Sequence, residues 1–582
     1  MCAILGVHSF GKINKQHIKD ANRAIKILKH RGPDYQGIYT ASNFIMAHGK
    51  LAIQSNDALS NQPVELDNVV VAFNGEIYNY IELINTYKIE GANFDGDVIA
   101  FLYKEFGMDF LSLIEGDFAI SIYDKRLEKL YLVRDRLGVK QLVYTMKNGE
   151  FYFASEVKAL EAFTEVRLDP NKDKIFEDLT MWFWSDKRET YFQGVFHLQP
   201  GEYLEISDGS VKHHKYWDVS LGNESLPSIN PLEMIQKSVK SRLVGNYPAM
   251  TLLSGGLDSS LLTVLVSKLL TKVKSITVNY DDFDNNIDRK FADLVVKSNS
   301  SIVQITNHIK SSDVNKSRLD SLSKQMEEVI WDKVYFAMQA NYQLAKRNGY
   351  RVVINGQGAD ETWLGYYHDF PMYKFTESKD FEVNNLMSVL ADTNIGGVKN
   401  LSKQGIDTLR DGVLKVYHND LPSKKDDVLN SVAYWATKTY LQSNLMQEDR
   451  LSMMSSVECR TPFTNHKLVE LAFSLSGNAK VVNSVEKKPL KEAAMGVLPI
   501  ELIDRQKQAF VNPEDSYGDL VINDWTTIVN EFLYKNGFSK YFSEEYIASI
   551  VRGNISNSLK WKFAAVNSFL HVYENQGDKI HE

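Results

Sequence analysis

The stretch LLSGGLDSS, residues 252–260, constrains the fold of this chain more than any other. It begins within the apolar run AMTLL and leads into SSLLTVLVSKLL, whose length and apolar content favour a helix. A strand, a glycine-rich turn and a helix in this order are typical of a parallel sheet covered by helices on both faces. In such a sheet, ligands bind at the carboxyl ends of the strands. The stretch therefore predicts an α/β domain with a site at this turn.

The turn has the chemistry of a phosphate site. Ser254, Gly255 and Gly256 follow the strand, and glycine lacks a Cβ, so backbone N–H groups can approach an anion closely. A helix that starts near Asp258 and Ser259 adds the partial positive charge of its N-terminus. The Asp258 carboxylate fits a site in which Mg²⁺ bridges the protein and the phosphates. Because the P-loop pattern G-x-x-x-x-G-K-[ST] is absent here, we predict a different phosphate cradle. The alternative is a capped glycine turn without a ligand.

A second strand end repeats this pattern. VVINGQGADE, residues 352–361, places Gly356 in a turn and follows it with the carboxylate of Asp360. Asp258 and Asp360 can share Mg²⁺ if their strands are neighbours. The alternative is the capped start of a helix without a ligand. Further along, the lysines of VEKKPLKEAA, among them Lys487, have a spacing that more often marks a solvated helix face than a site.

The first part of the chain has a different pattern of predicted strands and helices. Up to about residue 215, short strands alternate with turns, and two helical stretches interrupt them, NKQHIKDANRAIKILKH and DVIAFLYKEFG. This pattern predicts an α+β domain rich in antiparallel sheet. The stretch WDVSLGNESLPSINP carries glycine, serine and two prolines and is typical of a linker. We therefore predict a first domain over residues 2–215, a linker over 216–231 and a second domain over 232–582.

Cys2 raises the question of whether it becomes the first residue of the protein. A small residue in position 2 permits removal of Met1, which leaves Cys2 with a free α-amine. This amine, with a pKa of about 8, can act as general base for the thiol. The alternative is an unconstrained small residue. In AFNGEIYN, the Asn74 amide and the Gly75 backbone N–H can form an oxyanion hole, and Glu76 can help to hold a substrate ammonium.

Charge and composition exclude several classes of protein. The net charge of −8 and the lack of a long basic run argue against a general nucleic-acid binder. The two cysteines lie far apart, so they predict neither a disulfide framework nor a metal cluster and fit a reducing cytoplasm. No apolar run approaches the roughly 18–20 residues of a membrane span, and the N-terminus lacks the pattern of a signal peptide. We expect a cytoplasmic protein without nucleic-acid or membrane partners.

Taken together, the motifs resemble a known family. They run in order from Met1 to about Phe510 and comprise Cys2 and the stretches RGPD, FNGEIYN, RDRLG, ASEVKAL, LLSGGLDSS, GQGADE and DRLSMMSSVECRTPF. This set is similar to the glutamine-dependent asparagine synthetase family. The resemblance implies an α+β N-terminal-nucleophile glutaminase domain built on antiparallel sheets. It also implies a second, α/β ATP-pyrophosphatase domain with a parallel sheet and a helical C-terminal part.

For the first domain, the resemblance implies a glutaminase site. Cys2 attacks the glutamine side-chain amide, and Asn74 with Gly75 holds the oxyanion. Glu76 and Asp95 bind the glutamine α-amine, and the ammonia released passes through an internal channel to the second domain. One position departs from the family, which usually has an arginine to clamp the glutamine carboxylate. Here AHGKL places Lys50 there, which keeps the charge but loses the bidentate fork.

For the second domain, the resemblance implies ATP chemistry. The matching residues are the pyrophosphate loop Ser254, Gly255, Gly256, Asp258 and Ser259, the AMP contacts Leu253, Val278 and Gly356, and the magnesium carboxylates Asp258 and Asp360. Lys487 falls on the catalytic lysine of the family, which neutralises charge as the acceptor carboxylate attacks the α-phosphate. Asn355 and Gln357 stand where the family usually has a serine and an acid, which leaves the identity of the acceptor open.

The implied activity has two half-reactions. Glutamine is hydrolysed to glutamate and ammonia, and ATP adenylates a carboxylate that ammonia then converts to an amide. Aspartate is the default acceptor, which makes asparagine the product. The alternatives are another carboxylate, such as a uronic acid of surface polysaccharide or a peptidoglycan acid, and a non-catalytic paralogue that binds nucleotide. The expected ligands are ATP, Mg²⁺, glutamine and a small carboxylate, and a homodimer is compatible with the resemblance. Residues 511–582 carry no motif.

Overall fold

The structure is a computed structural model that describes residues 2–54, 58–92, 94–207, 209–221, 230–282, 287–366, 382–419, 427–505 and 519–574. In the first part of the chain, twelve strands of the described residues form two antiparallel sheets. The strands are β1 (Ala3–Ser9), β2 (Tyr35–Thr40), β3 (Phe44–Lys50), β4 (Val64–Leu66), β5 (Val69–Ile77), β6 (Gly116–Asp124), β7 (Lys129–Arg134), β8 (Val143–Lys147), β9 (Glu150–Ala154), β10 (Val195–His197), β11 (Glu202–Ser207) and β12 (Ser210–Lys215). The first sheet has the order β10-β8-β9-β1-β3-β2 and the second β12-β11-β7-β6-β5-β4.

The two sheets pack face to face, and their central strands are buried on both faces, so successive residues enter different cores. Ile4 on β1 and Val70 on β5 belong to one buried cluster between the sheets. Leu5, the next residue of β1, instead joins a cluster with the helix Lys15–Ile27 on the outer face. The helix Asp95–Phe106 covers the outer face of the second sheet in the same way. The further α-helices of this part are Tyr80–Tyr87, Val157–Leu160 and Lys172–Met181.

A parallel sheet organises the second part. Its strands are β13 (Ala249–Leu252), β14 (Val273–Tyr280), β15 (Ile302–Ile309), β16 (Val352–Ile354) and β17 (Glu458–Arg460), in the order β15-β14-β13-β16-β17. Ala249 lies in a buried cluster with the helix Leu257–Leu269, and the next residue, Met250, lies in the cluster with the helix Val334–Arg347. Helices therefore cover both faces of this sheet, as its buried strands require.

Helices fill the rest of the chain. The further α-helices of the second part are Pro231–Ser241, Ile287–Ser298, Lys316–Met326, Ala359–Trp363, Val383–Ile395, Lys403–Asn419, Val428–Lys438, Tyr440–Met453, His466–Ser474, Gly477–Lys480, Lys488–Ala494, Ile500–Ile503, Asp519–Ile522, Trp525–Val529, Glu544–Val551 and Asn557–Glu574. Trp561 and Tyr573 of the last helix donate hydrogen bonds to the backbone carbonyls of Ile330 and Lys324. This helix lies within residues 511–582, and its apolar side chains belong to the largest buried cluster of the described residues. None of the helices in the described ranges is long and apolar enough to cross a membrane.

The predicted fold class is confirmed. The strand β15 lies at the edge of the parallel sheet, where one side is solvated, so polar residues interrupt its apolar pattern. Asn74, Gly75 and Glu76, the candidate residues of AFNGEIYN, lie inside β5, which extends to Ile77. Of the linker predicted over 216–231, residues 222–229 lie outside the described residues, and the domain boundaries stay a prediction.

Candidate active site

Cys2 lies at the start of β1, in the interior of the first sheet. It is buried, and its backbone N–H donates to Asn74 Oδ1 at 2.7 Å. Asn74 belongs to β5 of the other sheet, so sheet packing brings the thiol and the amide together. The Nδ2 of Asn74 is buried and has no hydrogen-bond partner among the described residues. This leaves a donor beside Cys2, of the kind that an oxyanion hole requires.

Burial affects the reactivity of this cysteine. Removal from water raises the pKa of the Cys2 thiol above its ordinary value, and the nearby Glu76 carboxylate adds to the effect. The nucleophilic form of cysteine is the thiolate, so this thiol needs a base close to it. The base that the sequence suggests is the α-amine of Cys2 itself, which forms on removal of Met1.

Gly75 makes the close approach of two strands possible. It pairs with Phe118 of β6, and a Cβ on Gly75 would lie 2.0 Å from the carbonyl oxygen of Asp117. Any side chain would therefore force β5 and β6 apart, which would also move Asn74. Gly75 thus permits the close strand pairing that holds its own N–H and the neighbouring Asn74 in position.

Next to Cys2 lies a small, open cavity. Lys50, Gly75, Glu76 and Asp95 line it together with Cys2. Of the residues predicted for glutamine binding and hydrolysis, Asn74 alone does not line this cavity, although it contacts Cys2. The structure therefore brings the predicted first-domain residues together.

The cavity contains two neighbouring carboxylates. Burial and mutual repulsion raise the pKa of Asp95 well above its ordinary value, and burial chiefly raises that of Glu76. The side-chain amide of Gln54 donates to both, at 3.2 Å from Asp95 Oδ2. An ammonium in the place of this amide group would offset the cost of keeping both carboxylates ionised. The pair therefore suits the α-amine of an amino acid.

Two buried arginines attach this site to the second domain, and the sequence reasoning missed both. Arg31 donates to the carbonyl oxygen of Cys2 at 3.1 Å and to Glu156 at 2.7 Å, and it forms a bidentate pair with Asp449. These side chains come from RGPD, ASEVKAL and DRLSMM, so three separate motifs meet at one guanidinium. Their co-occurrence in the sequence was the available signal.

The second arginine comes from the parallel sheet. Arg460 of β17 forms ion pairs with Glu458 at 2.6 Å and with Glu76 at 3.4 Å. A residue of the parallel sheet thus contacts a carboxylate of the cavity next to Cys2. No sequence pattern indicated this contact, because β17 was not predicted as a strand.

The glycine-rich turn after β13 forms the second site. The hydroxyls of Ser254 and Ser259 lie 2.9 Å apart across the turn. Gly255 has φ +80°, and a Cβ on it would lie 2.2 Å from the carbonyl oxygen of Asp288. Gly256 is the N-cap of the helix Leu257–Leu269. The turn therefore presents backbone groups and a helix N-terminus, which suits an anion.

Lys487 binds the two carboxylates predicted for the metal. Its Nζ lies 2.5 Å from Asp258 Oδ2 and 2.5 Å from Asp360 Oδ1. Burial lowers the pKa of Lys487, but the two carboxylates outweigh burial and hold it above its ordinary value. The backbone of Lys487 has φ +51°, a strained conformation for a residue with a side chain. Lys487 is thus a buried, fully charged lysine and not part of a solvated surface.

The same carboxylates fit Mg²⁺. Asp258 Oδ1 is buried and accepts no hydrogen bond from the described residues, which leaves a ligand oxygen beside the phosphate turn. No group of three or more histidine, cysteine or acidic side chains suited to a metal occurs within the described ranges. Two carboxylates with phosphate oxygens and water as the remaining ligands are typical of Mg²⁺ in nucleotide sites.

A large cavity opens at the carboxyl ends of these strands. The predicted residues that line it are Leu253, Ser254, Gly256, Asp258, Ser259, Val278, Asn355, Gly356, Gln357 and Asp360. Gly255 and Lys487 do not line it, but Gly255 stands between Ser254 and Gly256 in the turn, and Lys487 pairs with Asp258 and Asp360. The structure thus gathers the second-domain residues around one cavity.

The sequence reasoning missed the opposite wall. Residues of the helix Tyr440–Met453 line it, namely Tyr440, Asn444, Gln447 and Glu448, and Trp182 reaches it from the first part of the chain. The four helical positions have the spacing i, i+4, i+7 and i+8, which marks one face of a helix. The structure buries this helix throughout, and a polar helix face is ordinarily solvated, so the sequence contained no signal for these residues.

Comparison with known proteins agrees with this architecture. The family model for a glutamine amidotransferase domain matches residues 1–217, and the model named asparagine synthase matches residues 232–571. The chain belongs to the asparagine synthase family. Members of this family are ATP-dependent, glutamine-hydrolysing amidotransferases. The two models match consecutive parts of the chain, residues 1–217 and 232–571.

Three curated relatives illustrate the range of the family. Asparagine synthetase [glutamine-hydrolyzing] 3 of Bacillus subtilis is 25% identical, with 90% of this chain and 89% of the relative covered. Asparagine synthetase B of Escherichia coli is 24% identical, with 88% and 82% covered. An amidase of Gibberella zeae, chry2, is 25% identical, with 86% of each chain covered. Relatives at similar identity thus carry different names, so similarity alone does not select the acceptor.

Proposed function

We propose that this member of the asparagine synthase family is a glutamine-hydrolysing asparagine synthetase. Glutamine and water give glutamate and ammonia in the first domain. ATP and the aspartate side-chain carboxylate give an acyl-adenylate and pyrophosphate in the second. Ammonia then displaces AMP to give asparagine. The presence in one chain of a buried N-terminal cysteine site and of the SGGLDSS turn supports both half-reactions.

In the first half-reaction, Cys2 Sγ attacks the amide carbon of glutamine. The α-amine of Cys2 accepts the thiol proton and passes it to the departing ammonia. The unpartnered Nδ2 of Asn74 and the Gly75 N–H stabilise the oxyanion, and water then hydrolyses the thioester. Glu76 and Asp95 hold the α-amine of the substrate.

In the second half-reaction, adenylation turns a poor electrophile into a reactive one. The acceptor carboxylate attacks the α-phosphate of ATP, and pyrophosphate leaves from the turn formed by Ser254, Gly255 and Gly256. Lys487, fully charged beside Asp258 and Asp360, neutralises the negative charge that accumulates at the phosphate. Mg²⁺ held by these carboxylates would add electrostatic stabilisation of the phosphates.

A pyrophosphate-release assay tests this proposal. We expect release to require ATP together with a carboxylate acceptor, with aspartate the best substrate in a panel of carboxylic acids. Omission of the acceptor from an otherwise identical reaction should reduce pyrophosphate release to background. If none of the acids in the panel supports pyrophosphate release, this would contradict the enzymatic assignment and favour a non-catalytic paralogue.

A second candidate acceptor is a different carboxylate, such as a uronic acid or a peptidoglycan acid. Asn355 and Gln357 favour it, because they replace residues that are a serine and an acid in the resembling family. The relative named an amidase adds weight to this alternative. The panel of acids separates the two candidate acceptors. If a uronic acid is the acceptor, pyrophosphate should be released from ATP faster with the uronic acid than with aspartate. The cytoplasmic location and the homodimer stay predictions.

Lys50 allows a test of glutamine binding. Its Nζ donates to Ser60 Oγ at 2.7 Å and to Asn61 Oδ1 at 3.2 Å, on the wall of the glutamine cavity. If it binds the glutamine carboxylate, Lys50→Ala should raise KM for glutamine about tenfold or more, with little change in kcat. Lys50→Arg should keep or lower KM, because the guanidinium can bind the carboxylate with two hydrogen bonds. An unchanged KM in Lys50→Ala would mean that Lys50 does not contact the substrate.

A further inference from the structure

Glu448 places a buried carboxylate on the wall of the ATP-site cavity. The residue is 4% exposed, lies on the helix Tyr440–Met453 and lines the same cavity as the turn at 252–260. Its Oε1 accepts a hydrogen bond from Gln357 Nε2 at 3.2 Å, and its Oε2 accepts one from the Tyr342 hydroxyl. Asn355 and Cys459 also hydrogen-bond to this carboxyl, and the residue lines the cavity.

The partners of Glu448 are neutral. Within the part of the chain that the structure describes, no lysine, arginine or histidine forms an ion pair with it. Burial raises the pKa of Glu448, and hydrogen bonds from Tyr342 and Gln357 offset part of this effect. The nearby cation, Lys487, is already paired with Asp258 and Asp360. An ionised carboxylate buried beside an open cavity without a protein cation is costly unless a ligand supplies the positive charge.

Gln357 and Glu448 form a complementary pair. The uncharged residue at 357 donates its amide to Glu448 and so orients the carboxylate. An acid at 357 would bring two carboxylates within hydrogen-bond distance, and their repulsion would favour protonation of one of them. The negative charge of this region therefore lies on Glu448 of the helix Tyr440–Met453, and Gln357 is its hydrogen-bond donor.

Other polar groups face the same cavity. Gln447 Nε2 and Trp182 Nε1 are donors with no hydrogen-bond partner among the described residues, and both residues line the cavity. Asp332 also lines it and accepts from the Val334 backbone at 2.9 Å. The lining of this cavity thus offers the Trp182 N–H as a donor for a carboxylate and the Glu448 carboxylate for a cation.

We propose that Glu448 is the counter-ion for an amine on the acceptor and so determines acceptor specificity. This inference rests on the proposed function and deepens it. The acceptor is then a carboxylic acid that also carries a protonated amine, which includes amino acids and amino-sugar acids but excludes plain uronic acids. The amine binds Glu448, and the reacting carboxylate points toward the phosphate turn.

Matched acceptor pairs test the proposal. The pairs are aspartate with succinate, glutamate with glutarate, and glucosaminuronic acid with glucuronic acid, and each differs mainly by the amine. Pyrophosphate release from ATP gives kcat/KM for each acid. We expect the wild-type protein to prefer the amine-bearing member of its best pair by about 100-fold or more. In Glu448→Gln, kcat/KM for that member should fall about 100-fold, while the value for its partner should change less than about threefold.

Two variants control for structural damage. Glu448→Asp keeps the charge and should keep the preference for the amine. Glu361→Gln removes another buried carboxyl, which accepts from Asn444 at 2.9 Å, and should leave the ratio within each pair unchanged. Glutamine hydrolysis by each variant reports whether the protein is folded.

Each outcome decides the question. Three results would overturn the role of Glu448. Two concern Glu448→Gln: an unchanged ratio of kcat/KM within the acceptor pair, or an equal loss of kcat/KM for both members. The third is a wild-type preference for the amine-free acids. If the wild-type protein releases pyrophosphate with none of the acids, the proposed function fails, and the inference fails with it. A preference that collapses only in Glu448→Gln would support the proposal.

Discussion

Replacing Cys2 by alanine is expected to abolish amide formation from glutamine, with a loss of about 10³-fold or more in glutamine-dependent activity. The reason is that the other cysteine, Cys459, lies on β17 and does not line the glutamine cavity. Ammonium salt at alkaline pH supplies free NH₃ and should restore amide formation in Cys2→Ala, because the acyl-adenylate forms at a separate site. Amide yield from each nitrogen source is the measurement.

Covalent labelling provides the control for this prediction. A glutamine analogue that carries an electrophile should add to Cys2 and leave Cys459 unmodified, although both thiols are buried. Burial raises the pKa of Cys459 well above its ordinary value, and Glu448 adds to the effect, so its thiolate is scarce. Labelling should persist in Cys459→Ala, and mass spectrometry of the native protein should show that Met1 is absent. Wild-type glutamine-dependent activity in Cys2→Ala would contradict the glutaminase assignment.

Replacing Asp258 by asparagine is expected to lower pyrophosphate release by about 10²–10³-fold with any acceptor. The change keeps the shape of the side chain but removes the charge that faces Lys487 and that would bind Mg²⁺. Lys487 keeps Asp360 as a partner, so the fold should survive. The measurement is the initial rate of pyrophosphate release at saturating ATP.

Glutamine hydrolysis is the internal control for Asp258→Asn. Cys2, Glu76 and Asp95 line a different cavity from Asp258, so hydrolysis without ATP should largely persist. Loss of both activities would indicate misfolding and would call for Asp258→Glu, which keeps the charge. Wild-type pyrophosphate release by a folded Asp258→Asn would contradict a role for this carboxylate in metal or phosphate chemistry.

Local patterns in the sequence determined the fold class and indicated the candidate residues that line the two cavities. The turn at 252–260 and the turn at 352–361 were readable because a strand, glycines and a helix start lie within about ten residues of each other. Cys2 was readable as a candidate nucleophile because it directly follows Met1. Each of these signals is contained in one short window of the chain.

Tertiary structure decided what each of these residues contacts. Lys487 pairs with Asp258 across 229 residues, and Arg31 pairs with Asp449 across 418. Spacing alone favoured a solvated face for Lys487, whereas packing buries it between two carboxylates. Glu448 gave no signal of its own, since a glutamate in a helix is ordinarily solvated. Burial and pairing are sums over contacts from distant segments, and no single window of sequence contains the partners, so the folded chain alone decides them.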